Sequence, residues 1–208
     1  MPNARALQYG VYYHIFNRGN SGENIFLEER NYGHFLRLCA KYVVPVADMY
    51  AYCLLRNHFH LLVRIKTAEE QLEAKTFGVA QTPKVLKVLK PSQQFSNWFN
   101  AYAKAINKAH GRSGSLFERP FHRIAVADEA HFRQLVTYIH RNPQKHGLVG
   151  DFREWPYTSY HTLLSTRPTR LRRDEVLAWY DGAQGLQDAH RQDAAAGEIT
   201  PLVVEDSA

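Results

Sequence analysis

The sequence predicts an α+β fold of the ferredoxin-like, split βαβ kind: an antiparallel sheet with two helices on one face and a C-terminal helix over the other. Three observations predict it. Short β-rich runs and helical stripes follow one another as strand, helix, strand, strand, helix, strand, helix. From His58 to Ile65 the chain alternates, with Phe59, Leu61, Val63 and Ile65 on one face of a strand and His58 and His60 on the other. The last helix carries Phe132, Leu135, Val136 and Ile139 as a regular stripe, so it needs a sheet to lie on.

The elements follow in order. Gln8 to Asn17, rich in Tyr, Val, Ile and Phe, reads as the first strand, ended by the loop residues Arg18-Gly19-Asn20-Ser21-Gly22. Glu28 to Val43 carries Tyr32, Phe35, Leu36 and Cys39 at helical spacing, and Pro45 closes it. Met49 to Leu55 and the His58 strand form a hairpin across Arg56-Asn57. Residues 67–91 read as an insertion with some helix, rich in Lys, Glu and Ala. Ser92 to Ala109 is an amphipathic helix with Phe95, Trp98, Phe99, Tyr102 and Ile106 on one face. Leu116 to Val126 has strand character, with Pro120 marking an edge or a late start. Asp128 caps the last helix, which should end near Asn142 because a residue before proline is pushed away from helical geometry. A short helix fits Asp174 to Tyr180, and the residues after Gly182 hold few large apolar groups, which predicts loose order.

Length and charge narrow the function. The 208 residues suffice for one domain with a sizeable core, expected over 1–165, with a partly disordered extension over 166–208. A formal charge of +6 favours a polyanionic partner, nucleic acid first. Cys39 and Cys53 have no CxxC companions, so buried thiols are expected rather than a disulfide or a zinc site. The first residues hold no apolar leader, and no apolar run reaches membrane-spanning length, so a cytoplasmic protein without membrane contact is expected.

Two imidazoles on one accessible strand face can chelate a divalent ion, which makes His58 and His60 candidate metal ligands. Tyr138 and Asn142 are four apart on the last helix, one above the other, on the flank of its apolar stripe. If the stripe packs on the sheet, both point along the seam where His58 and His60 stand. His14 shares a face with Tyr12 and Phe16 and suits packing behind that site, and His140 points away from the Asn142 face toward solvent or nucleic acid. Arg18, Arg112, Arg119, Arg123, Arg141 and Lys145 lie in loops or near the proposed site and suit phosphate contacts. Glu118 suits orienting work or an ion pair, and Phe117, Phe121 and Trp155 suit base stacking or core packing.

These residues carry a resemblance. His58-Phe59-His60 resembles the His-hydrophobic-His signature of the HUH endonucleases. Tyr138-Ile139-His140-Arg141-Asn142-Pro143 resembles the catalytic helix of their single-tyrosine branch, the insertion-sequence transposases and the REP-associated tyrosine transposases. Tyr13-His14-Ile15-Phe16-Asn17-Arg18-Gly19, Gly114-Ser115-Leu116-Phe117 and Trp155-Pro156-Tyr157-Thr158-Ser159-Tyr160 are similar to the REP-associated group in particular. The resemblance covers roughly residues 8 to 165, and the order of its segments makes it specific.

The resemblance implies metal-dependent nicking and joining of single-stranded or hairpin DNA. Tyr138 would be the nucleophile, forming a 5′-phosphotyrosine link and a free 3′-OH. Asn142 would complete the metal site with His58 and His60, and Mg²⁺ or Mn²⁺ would be the working ion. It also implies a monomer or a homodimer. Two other functions fit parts of the sequence: a non-catalytic single-strand binder on an RRM-like sheet, which lacks the RNP1 aromatic signature, and a small metal-dependent hydrolase, which leaves the Tyr138/Asn142 pairing without a purpose.

Overall fold

The computed structural model describes residues 6–76 and 87–195. Its sheet holds four antiparallel strands: β1 (Tyr12–Arg18), β2 (Ala47–Leu54), β3 (His58–Ile65) and β4 (His122–Ala125). They lie in the order β2-β3-β1-β4, the arrangement expected of a split βαβ chain. Helix α1 (Glu29–Tyr42) connects β1 to β2, while α2 (Ala68–Thr76) and α3 (Pro91–Ala109) lie between β3 and β4. Pro91 sits in the first turn of α3, where its missing N–H costs nothing.

Register sorts the side chains. His60 pairs with Phe16 and Cys53, and His58 pairs with Arg18, so these share one face. Phe59 faces the other way and is fully buried among Phe35 of α1 and Trp98 and Phe99 of α3, with ring centroids 5.0 to 5.7 Å away. The polar handles of this core are satisfied: Trp98 Nε1 donates to the Phe35 carbonyl at 3.1 Å and the Tyr102 hydroxyl to the Ile25 carbonyl at 2.7 Å. Phe117, Phe121 and Trp155 are buried in the core, so packing is their role rather than base stacking.

Helix α4 (Glu129–Lys145) covers the histidine face. Asp128 caps it, accepting from the His131 N–H at 2.8 Å. The helix does not end at Asn142. It runs through a buried Pro143 for another turn, and His146 N–H still reaches the Asn142 carbonyl at 3.0 Å. Proline so close to a helix end forfeits one backbone bond, and its burial holds the last turn in place. The strand expected from Leu116 also shortens: β4 starts at His122, beyond Pro120, and before it the contacts are irregular, with Asn20 N–H to the Leu116 carbonyl, Phe117 bridged to Gly19 and Glu118 N–H to the Arg18 carbonyl.

The C-terminal segment packs on the same core. Tyr157-Thr158-Ser159 pairs along the outer edge of β2, with Leu54 N–H to the Tyr157 carbonyl and Ser159 N–H to the Tyr52 carbonyl, both 2.9 Å, so that edge is covered. Short helices α5 (Tyr160–Leu164) and α6 (Arg173–Ala178) follow. Ala183–Ala195 forms α7, where composition predicted loose order; Leu186 and His190, four apart, are its buried anchors. Of the expected insertion, residues 77–86 lie outside the described residues, as do 196–208 of the extension.

Candidate active site

The histidine face of β3, the end of β1 and one side of α4 meet in a single buried seam. Tyr138 and Asn142 stand on successive turns of α4, and His146, which caps its C-terminal end, continues their spacing of four. The Tyr138 ring meets His60 edge to face, with centroids 5.6 Å apart, and meets His14 the same way at 6.2 Å. His58 and His60 are perpendicular at 5.1 Å, and His146 lies 4.8 Å from His58. The two strand histidines, Tyr138 and Asn142 are therefore brought together as the sequence predicts.

Both strand histidines are tied at Nδ1. His58 Nδ1 lies 2.7 Å from Asn57 Oδ1, an oxygen that can only accept, so His58 carries its proton on Nδ1 and its lone pair on Nε2. His60 Nδ1 lies 3.0 Å from Nε2 of the buried His14. Burial, then the neighbouring His60, His146 and Arg18, push His58 down to about 2. Burial, then His146 and Lys145, push His60 down to about 3. Both imidazoles are thus neutral near pH 7, the form that ligates a metal. Asn142 donates its amide N–H to the Tyr138 carbonyl at 3.2 Å. Its Oδ1 is buried and accepts no well-formed hydrogen bond, while the amide as a whole sits close enough to favour a protonated His58. Two imidazoles and a buried amide oxygen beside them are a donor set that fits a divalent ion. Among the described residues, no group of three or more His, Cys, Asp and Glu side chains forms a metal cluster, so the amide would be needed.

The cations divide. Lys145 Nζ lies over the Tyr138 ring, 5.5 Å from its centroid, and Arg18 stands beside His58 with an ion pair to Glu118 at 3.5 Å. Arg119 is exposed in the loop before β4. The other three do not join the site. Arg112 pairs with Glu23. Arg123 is in register with Ile15, hence on the α1/α3 face, and lies over the Phe121 ring at 4.0 Å. Arg141 turns to α7, 3.5 Å from the His190 carbonyl.

His140 is also corrected. It is fully buried, with Nε2 2.7 Å from Ser159 Oγ and Nδ1 2.9 Å from His190 Nε2, so it joins α4 to α7 instead of facing solvent or nucleic acid. Sequence reasoning missed His146 and His122. His146 continues the spacing of Tyr138 and Asn142 but lies past Pro143, where the helix was expected to have ended. His122 is exposed and stacks on Phe16 at 4.7 Å; only the register of β4 puts it on this face.

Fold and site together define a class: a ferredoxin-like domain with paired imidazoles on its sheet and a tyrosine-bearing helix laid over them. No family model matches the chain. It is 26% identical over 111 residues to a curated protein of Haemophilus influenzae, itself provisionally named a REP-associated tyrosine transposase. That match takes in 53% of this chain and 57% of the relative, so the chain spans little more than half of the relative's length. In fold, it is similar to the solved structure of a REP-associated tyrosine transposase bound to a REP hairpin, with a TM-score of 0.55 and 17% identity over 81% of this chain and 88% of that one. Both comparisons point the same way: what this chain is similar to, in sequence and in fold, are REP-associated tyrosine transposases. No helix among the described residues is long and apolar enough to cross a membrane.

Proposed function

We propose that this protein nicks and rejoins single-stranded DNA, on or beside a hairpin, through a covalent 5′-phosphotyrosine link to Tyr138. One observation carries the proposal: a buried tyrosine stands edge-on to His60, one of two neutral, Nδ1-tethered histidines, with an amide oxygen one turn along its own helix accepting no well-formed hydrogen bond. A core tyrosine needs none of these neighbours. The net charge of +6 and the hairpin held by the structural relative support a DNA hairpin as the partner.

In this reading the Tyr138 hydroxyl attacks the phosphorus in line, the bond to the 3′ oxygen breaks, and the phenol proton lost is balanced by one gained at the departing 3′-OH. His58, His60 and Asn142 would hold Mg²⁺ or Mn²⁺, which when bound neutralises phosphate charge and stabilises the departing oxygen. Lys145, over the Tyr138 ring, and Arg18, beside His58, supply fixed positive charge for the flanking phosphates. The link retains the phosphodiester energy, so rejoining requires no nucleotide.

The test is incubation with end-labelled hairpin DNA and Mg²⁺. A protein–DNA adduct stable to denaturation, lost with EDTA and lost in Tyr138→Phe, is expected. Cleavage that proceeds without any adduct would favour a hydrolase instead.

A further inference from the structure

His14 is not used by the proposed chemistry, yet it is fully enclosed at the centre of the seam and touches a proposed ligand directly. Its Nε2 lies 3.0 Å from His60 Nδ1, and the two rings stack at 25° with centroids 5.2 Å apart. A histidine contact of this kind is ambiguous, because either nitrogen can carry the shared hydrogen. The neighbouring histidine removes the ambiguity for half of the pair. His58 donates from Nδ1 to Asn57 Oδ1, which leaves the Nε2 lone pair for the site. His58 and His60 can act as a matched pair only when His60 is in the same tautomer.

We propose that His14 is a positioning residue: its Nε2 accepts the Nδ1 hydrogen of His60 and holds that ring with its lone pair on Nε2, as Asn57 Oδ1 does for His58. The reverse arrangement would put the hydrogen on His60 Nε2 and disable it as a ligand. Orientation follows as well as tautomer. The His14 ring is wedged between Phe16, 4.8 Å away, and Tyr138, 6.2 Å away, so it cannot swing without disturbing both. A partner hydrogen-bonded behind a metal-binding imidazole fixes its tautomer and ring plane, and its loss weakens metal binding by roughly 10–100-fold. The inference rests on His60 being a ligand, but the tautomer can be read without metal or DNA.

The experiment is a long-range ¹H–¹⁵N correlation spectrum of the histidine-labelled, metal-free protein at pH 7, with Mn²⁺ titrations of the wild type, His14→Gln and His14→Phe. The expected result is an Nδ1–H tautomer for His60 in the wild type. His14→Gln keeps an acceptor and should keep both the tautomer and most of the Mn²⁺ affinity. His14→Phe keeps the ring volume without an acceptor, and should lose Mn²⁺ affinity by roughly 10–100-fold. An Nε2–H tautomer for His60 in the wild type overturns the proposal, even if His14→Phe fails to fold. Wild-type Mn²⁺ affinity in a folded His14→Phe overturns it too. An Nδ1–H His60 in a protein that forms no adduct with DNA would support the His14 pairing and count against the catalytic reading alone.

Discussion

Tyr138 and His60 meet edge to face across the seam between α4 and β3, their ring centroids 5.6 Å apart. One comes from a helix surface and the other from a strand face, so only the packing of α4 on the sheet unites them. Removing the Tyr138 hydroxyl should therefore separate chemistry from folding. In Tyr138→Phe the ring contact stays, and the unfolding free energy should move by less than about 1 kcal/mol while adduct formation is abolished. Denaturant unfolding and adduct assays on one preparation check both halves; a large loss of stability would mean the hydroxyl is structural.

Asn142 should show the opposite balance from an ordinary buried amide. Its Oδ1 accepts no well-formed hydrogen bond, so truncation gives up little beyond the bond its Nδ2 donates to Tyr138. Asn142→Ala should change stability by about 1 kcal/mol or less, yet weaken Mn²⁺ binding by at least about tenfold. Calorimetric titration checks this, and unaltered Mn²⁺ binding would remove Asn142 from the site.

The join between α4 and α7 predicts a pH dependence of stability. Burial pushes His190 down to about 4 and His140 well below its ordinary value. The unfolded chain protonates these rings near ~6.5, so it binds more protons than the folded one between those values. Their contribution is thus fully present above about 6.5 and is lost as pH falls toward about 4. The urea midpoint should drop between pH 7 and pH 4.5, and His190→Gln should make the drop shallower. Equal pH slopes for the variant and wild type would contradict the assignment.

Asp48 is a buried carboxylate with three cations around it: Arg64 at 3.0 Å, Lys66 at 3.6 Å and Arg172 at 3.1 Å. It thereby ties the C-terminal segment to the sheet. Asp48→Asn should destabilise the fold by about 2–4 kcal/mol, since it leaves cations beside an uncharged group. Thermal unfolding reads this directly; a variant as stable as the wild type would show that the cations find other partners.

The fold was legible wherever one face of an element is uniformly apolar. Phe59, Leu61, Val63 and Ile65 announced a half-covered strand, and the α4 stripe announced a helix on a sheet, so His58, His60, Tyr138 and Asn142 could be gathered from spacing alone. What escaped depends on register or distant partners. Arg123 belongs to the wrong face because β4 starts after Pro120, and parity cannot be read before the start is known. His140 pairs with His190, fifty residues on, in a helix where Leu186 and His190 are the buried positions among the described residues. His146 hid behind Pro143, which a buried last turn tolerates.

The most direct test of the central claim is to find where DNA is attached. The protein would be trapped on hairpin DNA with Mg²⁺, digested with nuclease and protease, and mapped by tandem mass spectrometry. The account predicts a residual nucleotide 5′-phosphate on Tyr138 and nowhere else. A nucleotide on another of the twelve tyrosines, or on a serine or histidine, would contradict it.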